Sequence, residues 1–141
     1  MPEYIPSPSE RVSKQVAEIE ASDGLEGSEM RGMAVVVVTH HGHKTGAIRK
    51  TPLMRVADGA NYVLVGSLGG APKHPVWVYN LRADSDIEVR DKSKVQRMRV
   101  LEVEGDEKAR LWEIAVAAFP PYAEYQEKTE RAIPVFLAEP V

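Results

Sequence analysis

Cysteine is absent from the chain, and phenylalanine and tryptophan occur only twice each. The lack of thiols excludes disulfides, thiolate metal sites and cysteine nucleophiles, and it fits a reducing cytoplasm. No apolar run exceeds six residues, as in 33–38, far short of the roughly 20 that a transmembrane helix needs. The opening MPEYIPSPSE has neither a basic nor an apolar leader region, so no signal peptide is expected. The patterns G-x-G-x-x-G, Walker lysine loop and G-x-S-x-G are all missing. That removes the corresponding nucleotide folds and the Ser-His-Asp hydrolases built on that elbow. Nor is there a basic stripe interleaved with aromatics of the kind that single-stranded nucleic acid requires. Acids are missing from 31 to 56, where His40, His41 and His43 cluster. Ligating histidines usually have a carboxylate as co-ligand or hydrogen-bond partner, so no metal is expected there.

What is present is 141 residues, 43% of them apolar and 28% charged, enough for one soluble domain with its own core. The division expected is an N-terminal helix and loop over 1–32 and a main body over 33–141. The net charge of −3 hides an uneven distribution. Residues 1–29 carry seven acids and two bases, 30–83 carry seven bases and one acid, and 84–141 carry nine bases and thirteen acids. A basic middle in an acidic chain points to one localised anion site rather than to general affinity for polyanions.

Ser7 reads as an N-cap, with Pro8 at the first helical position and Glu10 closing a capping box. Val12, Val16 and Ile19 give the helix that follows a thin apolar stripe. The acidic, glycine-bearing stretch up to Gly32 reads as a loop. Residues 33–40 are apolar on both faces, hence a strand buried on both sides. Residues 48–57 and 61–68 flank Asp58-Gly59, a hairpin signal, and Pro52 marks the first of them as an edge or a bulge. A short helix is expected over 75–83. Strands follow at 87–90 and 95–104; in the second, Met98 and Val100 alternate and then Leu101 and Val103, which suggests a bulge. Asp106 is expected to cap a helix that Pro120-Pro121 stops, and a last strand is expected over 133–138. Six strands in hairpins with short flanking helices make an α+β fold around a small antiparallel barrel.

Three stretches carry candidate chemistry. In HHGHKTGAIRK, Lys44 and Arg49 flank a glycine turn and suit a phosphate, although a solvated basic hairpin has the same composition. In SLGGAPKHPVW, two glycines let a ligand approach the backbone just before a helix start, beside Lys73 and His74; a plain strand-to-helix connection is the alternative. In FPPYAEYQ, Phe119, Tyr122 and Tyr125 fall three apart and share a helical face. They suit the wall of a pocket for a flat ring, or simply the packing of a terminal helix on the barrel.

Together the three stretches resemble the deazaflavin-dependent nitroreductase family of actinobacteria. Its members carry G-x-K-[ST]-G-x-x-R, then [ST]-x-G-G-x-x-x-x-P-x-W-x-x-N-L, then a tyrosine cluster ahead of T-x-R-x-I-P. Here these are 42–49, 67–81, and Tyr122 and Tyr125 ahead of 129–134. Three positions depart from the family pattern: His43 and Leu68 stand where relatives often have arginine and lysine, and Phe119 stands for the first tyrosine.

The resemblance implies a six-stranded split β-barrel, similar to the barrels that bind flavin mononucleotide, holding coenzyme F420, an 8-hydroxy-5-deazaflavin with a phosphodiester and an oligoglutamate tail. It places His43, Lys44, Thr45 and Arg49 at the phosphate and tail, with Lys73 in reserve for the missing lysine. It lays Ser67, Leu68, Gly69 and Gly70 against the cofactor, sets Val76 and Trp77 at the deazaflavin end, and turns Tyr122 and Tyr125 to the substrate as catalytic candidates. The implied activity is hydride transfer from the reduced deazaflavin to a small electron-poor acceptor, a quinone or a nitro-aromatic. A separate F420-reducing dehydrogenase would act as donor. The alternatives are a non-catalytic deazaflavin carrier and a flavin mononucleotide enzyme. A cytoplasmic monomer or homodimer is expected, without nucleic acid or stable membrane insertion, at most peripheral to a membrane.

Overall fold

The computed structural model describes residues 3–30 and 33–141; Arg31 and Gly32, the expected end of the acidic loop, lie outside the described residues. The valine run lies in β2 (Met33–His41), which pairs at its start with the short β1 (Glu29–Met30). Successive strand residues face opposite sides, so a strand of valines needs cover on both. Val36 and Val38 enter the interior with Leu64, Trp77 and Phe136. Val37 is covered by Val16 and Ile19 of α1 (Glu10–Ala21). Burial of each such valine contributes about 1.5–3 kcal/mol relative to exposure.

β3 (Ile48–Met54) runs back along β2, from His41 opposite Ile48 to Val35 opposite Met54. The main hairpin thus turns through 42–47. The hairpin expected across Asp58-Gly59 shrinks to β4 (Ala57–Asp58) against β5 (Asn61–Val65), because β3 is already engaged by β2 and β5 by β8 (Val135–Pro140). Pro52 sits where the sequence suggested, on a strand with one sheet neighbour, where the missing N–H costs no ladder bond. Part of the outer edge of β3 is covered by a parallel bridge from Tyr4 to Ile48. With β6 (Asp86–Asp91) and β7 (Lys94–Glu102) the sheet order is β1-β2-β6-β7-β8-β5-β4, and β3 flanks β2 on its free side. This curled antiparallel sheet, with four α-helices among the described residues, is the α+β split barrel that the resemblance implied, with eight strands rather than six because the two-residue β1 and β4 add to the six expected.

Three local expectations need correction. α1 starts at Glu10 with Ser9 as its cap: Ser9 Oγ accepts from Val12 N–H at 3.4 Å, and Ser7 Oγ accepts from Ser9 N–H at 3.2 Å. Asp106 does not cap α3 (Gly105–Ala118); it lies in the first turn, behind Glu104. β7 contains no bulge, since its register is unbroken against both β6 and β8. Simple alternation explains its pattern: Met98 and Val100 face inward, while Val103 faces outward under α3 and Leu101 on that side stays exposed.

α2 (Val76–Ala83) lies within the curl, with Trp77, Val78 and Leu81 in the same cluster as the inward strand residues. α3 and α4 (Pro121–Glu127) cover the outward side of β5 and β8 through Leu111, Ala115, Phe119 and Tyr122. Between β5 and α2 runs a 3-10 turn, Leu68–Gly70, whose residues have φ of 44°, 62° and 84°. Leucine in this left-handed region is strained. A Cβ on Gly70 would lie 2.8 Å from the Tyr125 carbonyl oxygen, whereas one on Gly69 would meet nothing within 4 Å. Gly69→Ala should therefore cost about 1 kcal/mol of unfolding free energy, for backbone strain alone. Gly70→Ala should cost about 3 kcal/mol, for strain plus the clash with α4. Urea denaturation checks this, and equal losses would contradict the close approach of turn and helix.

Candidate functional site

The inner edge strand, the glycine turn and α4 enclose a cleft of about 330 Å³. β3 contributes Thr51, Pro52, Leu53 and Met54, the turn contributes Ser67, Leu68 and Gly69, and Phe119, Tyr122 and Tyr125 form the aromatic wall. These aromatics do come together, at ring distances of 5.0 Å for Phe119–Tyr122 and 6.2 Å for Tyr122–Tyr125, but not on one helical face, because Phe119 ends α3 and only the two tyrosines lie on α4. They also pack on the outer core cluster, as the alternative reading of that stretch expected. Tyr122 is buried, and its burial, with Tyr125 nearby, holds the phenol well above its ordinary pKa. Among the described residues its hydroxyl has no hydrogen-bond partner, so it remains a protonated donor facing an apolar cleft.

A second cleft of about 400 Å³ opens on the other side of Trp77 and shares Thr51 and Trp77 with the first. Its walls include Arg49, Val76 and Asn80 from the barrel and Ser7, Pro8 and Val12 from the N-terminal segment. The seven bases of the middle third separate here into two groups. Lys50 pairs with Glu20 and lies over the Tyr4 ring, Arg55 pairs with Asp91, and Arg82 pairs with Glu102; Arg31 is outside the described residues. Lys44, Arg49 and Lys73 have no ion-pair partner among the described residues. Lys44 and Lys73 are exposed, where an unpaired lysine is unremarkable, but Arg49 is half-buried in the cleft wall. A half-buried guanidinium without a carboxylate is the local condition that favours an anion.

Two of the histidines, His40 and His43, belong to a polar chain through the buried Asn80. Asn80 Oδ1 accepts from the His43 backbone N–H at 2.9 Å, which fixes the amide orientation. The Asn80 NH2 then faces His40 Nδ1 at 3.1 Å, so that nitrogen accepts and His40 Nε2–H donates to Thr51 Oγ1 at 2.9 Å. His43 Nδ1 lies 2.6 Å from the same Asn80 oxygen and carries the proton. Burial, helped by Arg49 and His41, lowers the pKa of His40 to about 4, so His40 is neutral between Asn80 and Thr51. His41 sits 3.5 Å from Asp84. Among the described residues no three His, Asp or Glu side chains gather as metal ligands.

The structure thus brings together Ser67, Leu68, Gly69, Trp77, Tyr122 and Tyr125 in one cleft and Arg49, Val76 and Trp77 in the other. His43, Lys44 and Thr45 lie on the exposed 42–47 turn and line neither cleft; Thr45 Oγ1 accepts from Ala47 N–H at 3.2 Å. Gly70 is buried behind its turn against α4, and Lys73 points to solvent before α2. Sequence reasoning passed over Thr51 and Leu53, whose strand gave no hint of facing a ligand. It also gave no role to Asn80 and Arg131, although both stand at motif positions.

The family model for F420H(2)-dependent quinone reductases matches residues 11–140. The chain belongs to that family. It is accordingly an oxidoreductase of the F420H(2)-dependent quinone reductase type, with coenzyme F420 as its cofactor. A putative F420H(2)-dependent quinone reductase of Mycobacterium tuberculosis is 31% identical over 105 residues, 74% of this chain and 88% of its own. A second reductase from that organism is 34% identical over 118 residues, 81% of this chain and 79% of its own. Among solved structures, an F420-H2 dependent reductase, FDR-A, is 47% identical with a TM-score of 0.71, over 74% of this chain and 93% of its own. Another, described as a domain-swapped dimer, is 41% identical with a TM-score of 0.75, over 90% of this chain and 93% of its own. Among the described residues of the reductase, no helix is long and apolar enough to cross a membrane.

The neutral state of His40 gives a pH test. Its folded pKa is depressed, so the stabilisation is complete above the ordinary value of 6.5 and is lost as pH falls toward about 4. Across that window the wild type should lose on the order of 3 kcal/mol more stability than His40→Gln, measured by urea denaturation at each pH. Parallel pH curves for the two proteins would show that His40 is not held neutral.

Proposed function

We propose that the two clefts form one continuous site: the deazaflavin ring and the acceptor occupy the first, and the phosphodiester and glutamate tail run past Trp77 into the second. The carrying observation is that an apolar, aromatic cleft and a cleft with an unpaired Arg49 meet at Thr51 and Trp77. A cofactor that is planar at one end and anionic at the other fits that sequence of surfaces, and the donor set has no acid in it to repel the tail. When bound in reduced form, the deazaflavin supplies a hydride to the acceptor.

The chain's own residues then have separable tasks. Arg49 holds a tail oxyanion by charge-assisted hydrogen bonds, with Lys44 at the turn screening the same charge from farther out. The Ser67–Gly69 turn and Thr51 bound the ring from two sides. Leu53, Met54 and Phe119 keep water from the reacting faces, and they favour a flat neutral acceptor, a quinone above all and an electron-poor nitro-aromatic secondarily. Tyr122 donates a hydrogen bond to the acceptor oxygen on which negative charge develops. With its pKa raised it is a poor proton source, so it stabilises charge and solvent supplies the proton.

Tyr122→Phe should therefore lower kcat for menadione about tenfold without abolishing turnover. Arg49→Ala should raise the Kd of oxidised coenzyme F420 about 10- to 100-fold, and Lys44→Ala much less. Oxidation of the reduced cofactor followed by absorbance, and fluorescence titration of the oxidised one, check these. Tight cofactor binding without any quinone-dependent oxidation would leave a carrier in place of an enzyme.

A further inference from the structure

The glycine turn is a wall of the first cleft, with three successive residues at positive φ, of which Leu68, not being glycine, is strained. Such a conformation persists only where its surroundings over-determine it. Gly70 packing on Tyr125 fixes one side. The other side is held by one side chain. Arg131 Nε donates to the Ala71 carbonyl at 2.9 Å, Nη1 to the Gly66 carbonyl at 3.1 Å, and Nη2 to the Ser67 carbonyl at 2.8 Å. The rigid guanidinium fork thus spans the entrance and the exit of the turn, which a lysine cannot do. The connector that carries Arg131 is itself tied down: Gln126 Nε2 donates to the Arg131 carbonyl at 2.8 Å, and Gln126 Oε1 accepts from Ile133 N–H at 3.0 Å.

Arg131 Nη1 also approaches His74 Nδ1 at 2.9 Å. A guanidinium only donates, so Nδ1 must present its lone pair and His74 must be neutral. The groups facing His74 are Arg131, Arg82, Glu102 and the ring of Tyr79, 5.9 Å away. Glu102, the one anion among them, is engaged by both arms of Arg82 at 2.8 and 2.9 Å. Protonation would set a donor against a donor and a cation against a cation, leaving Arg131 to withdraw from the imidazole.

We infer that Arg131 is the positioning residue that shapes the glycine turn for the cofactor, and that neutral His74 keeps it in place. The clamp is closed at neutral pH and loosens in acid. Burial, then Arg131 and Arg82, hold His74 below its ordinary pKa, which sets the opening on the acid side of the usual histidine range. The functional half of this inference rests on the cofactor placement proposed above; the shape of the turn does not.

Two readouts keep those halves apart. Amide hydrogen exchange at Gly70 and Ala71, whose N–H groups bond the Ser67 and Leu68 carbonyls, reports on the turn. Fluorescence titration with oxidised coenzyme F420 reports on the cleft. Wild type, Arg131→Lys and His74→Gln are compared between about pH 7.5 and pH 5. In wild type, protection and affinity should fall together in acid. In His74→Gln, whose amide oxygen still accepts from Arg131, both should stay flat. Arg131→Lys should lose protection at every pH and bind about tenfold more weakly while still unfolding cooperatively. Unchanged protection in Arg131→Lys, unchanged affinity of its folded form, or a wild-type pH response shared by His74→Gln would each overturn the inference. Protection that changes as described, in a protein that does not bind the cofactor at all, would uphold the clamp and remove the cofactor placement instead.

Discussion

Trp77 packs against Phe136, ring centroids 5.7 Å apart, inside a sheet that a closed barrel would fill with strand side chains alone. A helix takes up that space, and the sheet cannot close around it. The architecture follows from this: β3 reaches only β2, and the gap beside Trp77 is open on two sides. One residue is therefore both part of the core and part of the lining of both clefts. In the proposed placement, the rigid packing behind Trp77 would spare the site any reorganisation when the cofactor binds.

Electrostatics divide along the same line. On one side of Trp77 the cleft is lined by methionine, leucine, proline and aromatics. On the other, Arg49 has no carboxylate partner among the described residues, and His40, bonded to Asn80, is kept uncharged by burial. A neutral histidine under a cation leaves the guanidinium's charge free to act on a ligand. The bases of the middle third that do find acids serve to join elements: Lys50, beside Arg49 in the same cleft wall, pairs with Glu20 of α1, Arg55 with Asp91, and Arg82 with Glu102.

Much of this was legible in particular residues. The valine run called for cover on both faces, Pro52 for an edge or a bulge, and the spacing of Phe119, Tyr122 and Tyr125 for a pocket wall or for helix packing; these are local patterns with few physical solutions. The failures were of another kind. Ser7 and Ser9 are equally good caps by composition, and the choice falls to Ser9 because residues 3–5 are drawn into extended pairing with β3. The hairpin at Asp58-Gly59 lost its longer strands to other partners, β3 to the preceding β2 and β5 to β8, remote in sequence. His40 takes its role from Asn80, 40 residues later, and Arg131 from carbonyls some 60 residues earlier. Long-range polar contacts leave no periodicity behind. The motif positions of Asn80 and Arg131 were visible as letters, without the reason for them.

The central claim is a division of labour, ring on one side of Trp77 and tail charge on Arg49. It is tested most directly by titrating wild type and Arg49→Ala with coenzyme F420 and with the same deazaflavin core lacking phosphodiester and glutamates. The account predicts that wild type prefers the complete cofactor by at least about tenfold, that Arg49→Ala erases most of that preference, and that both proteins bind the bare core alike. An equal loss of affinity for core and complete cofactor in Arg49→Ala would contradict it.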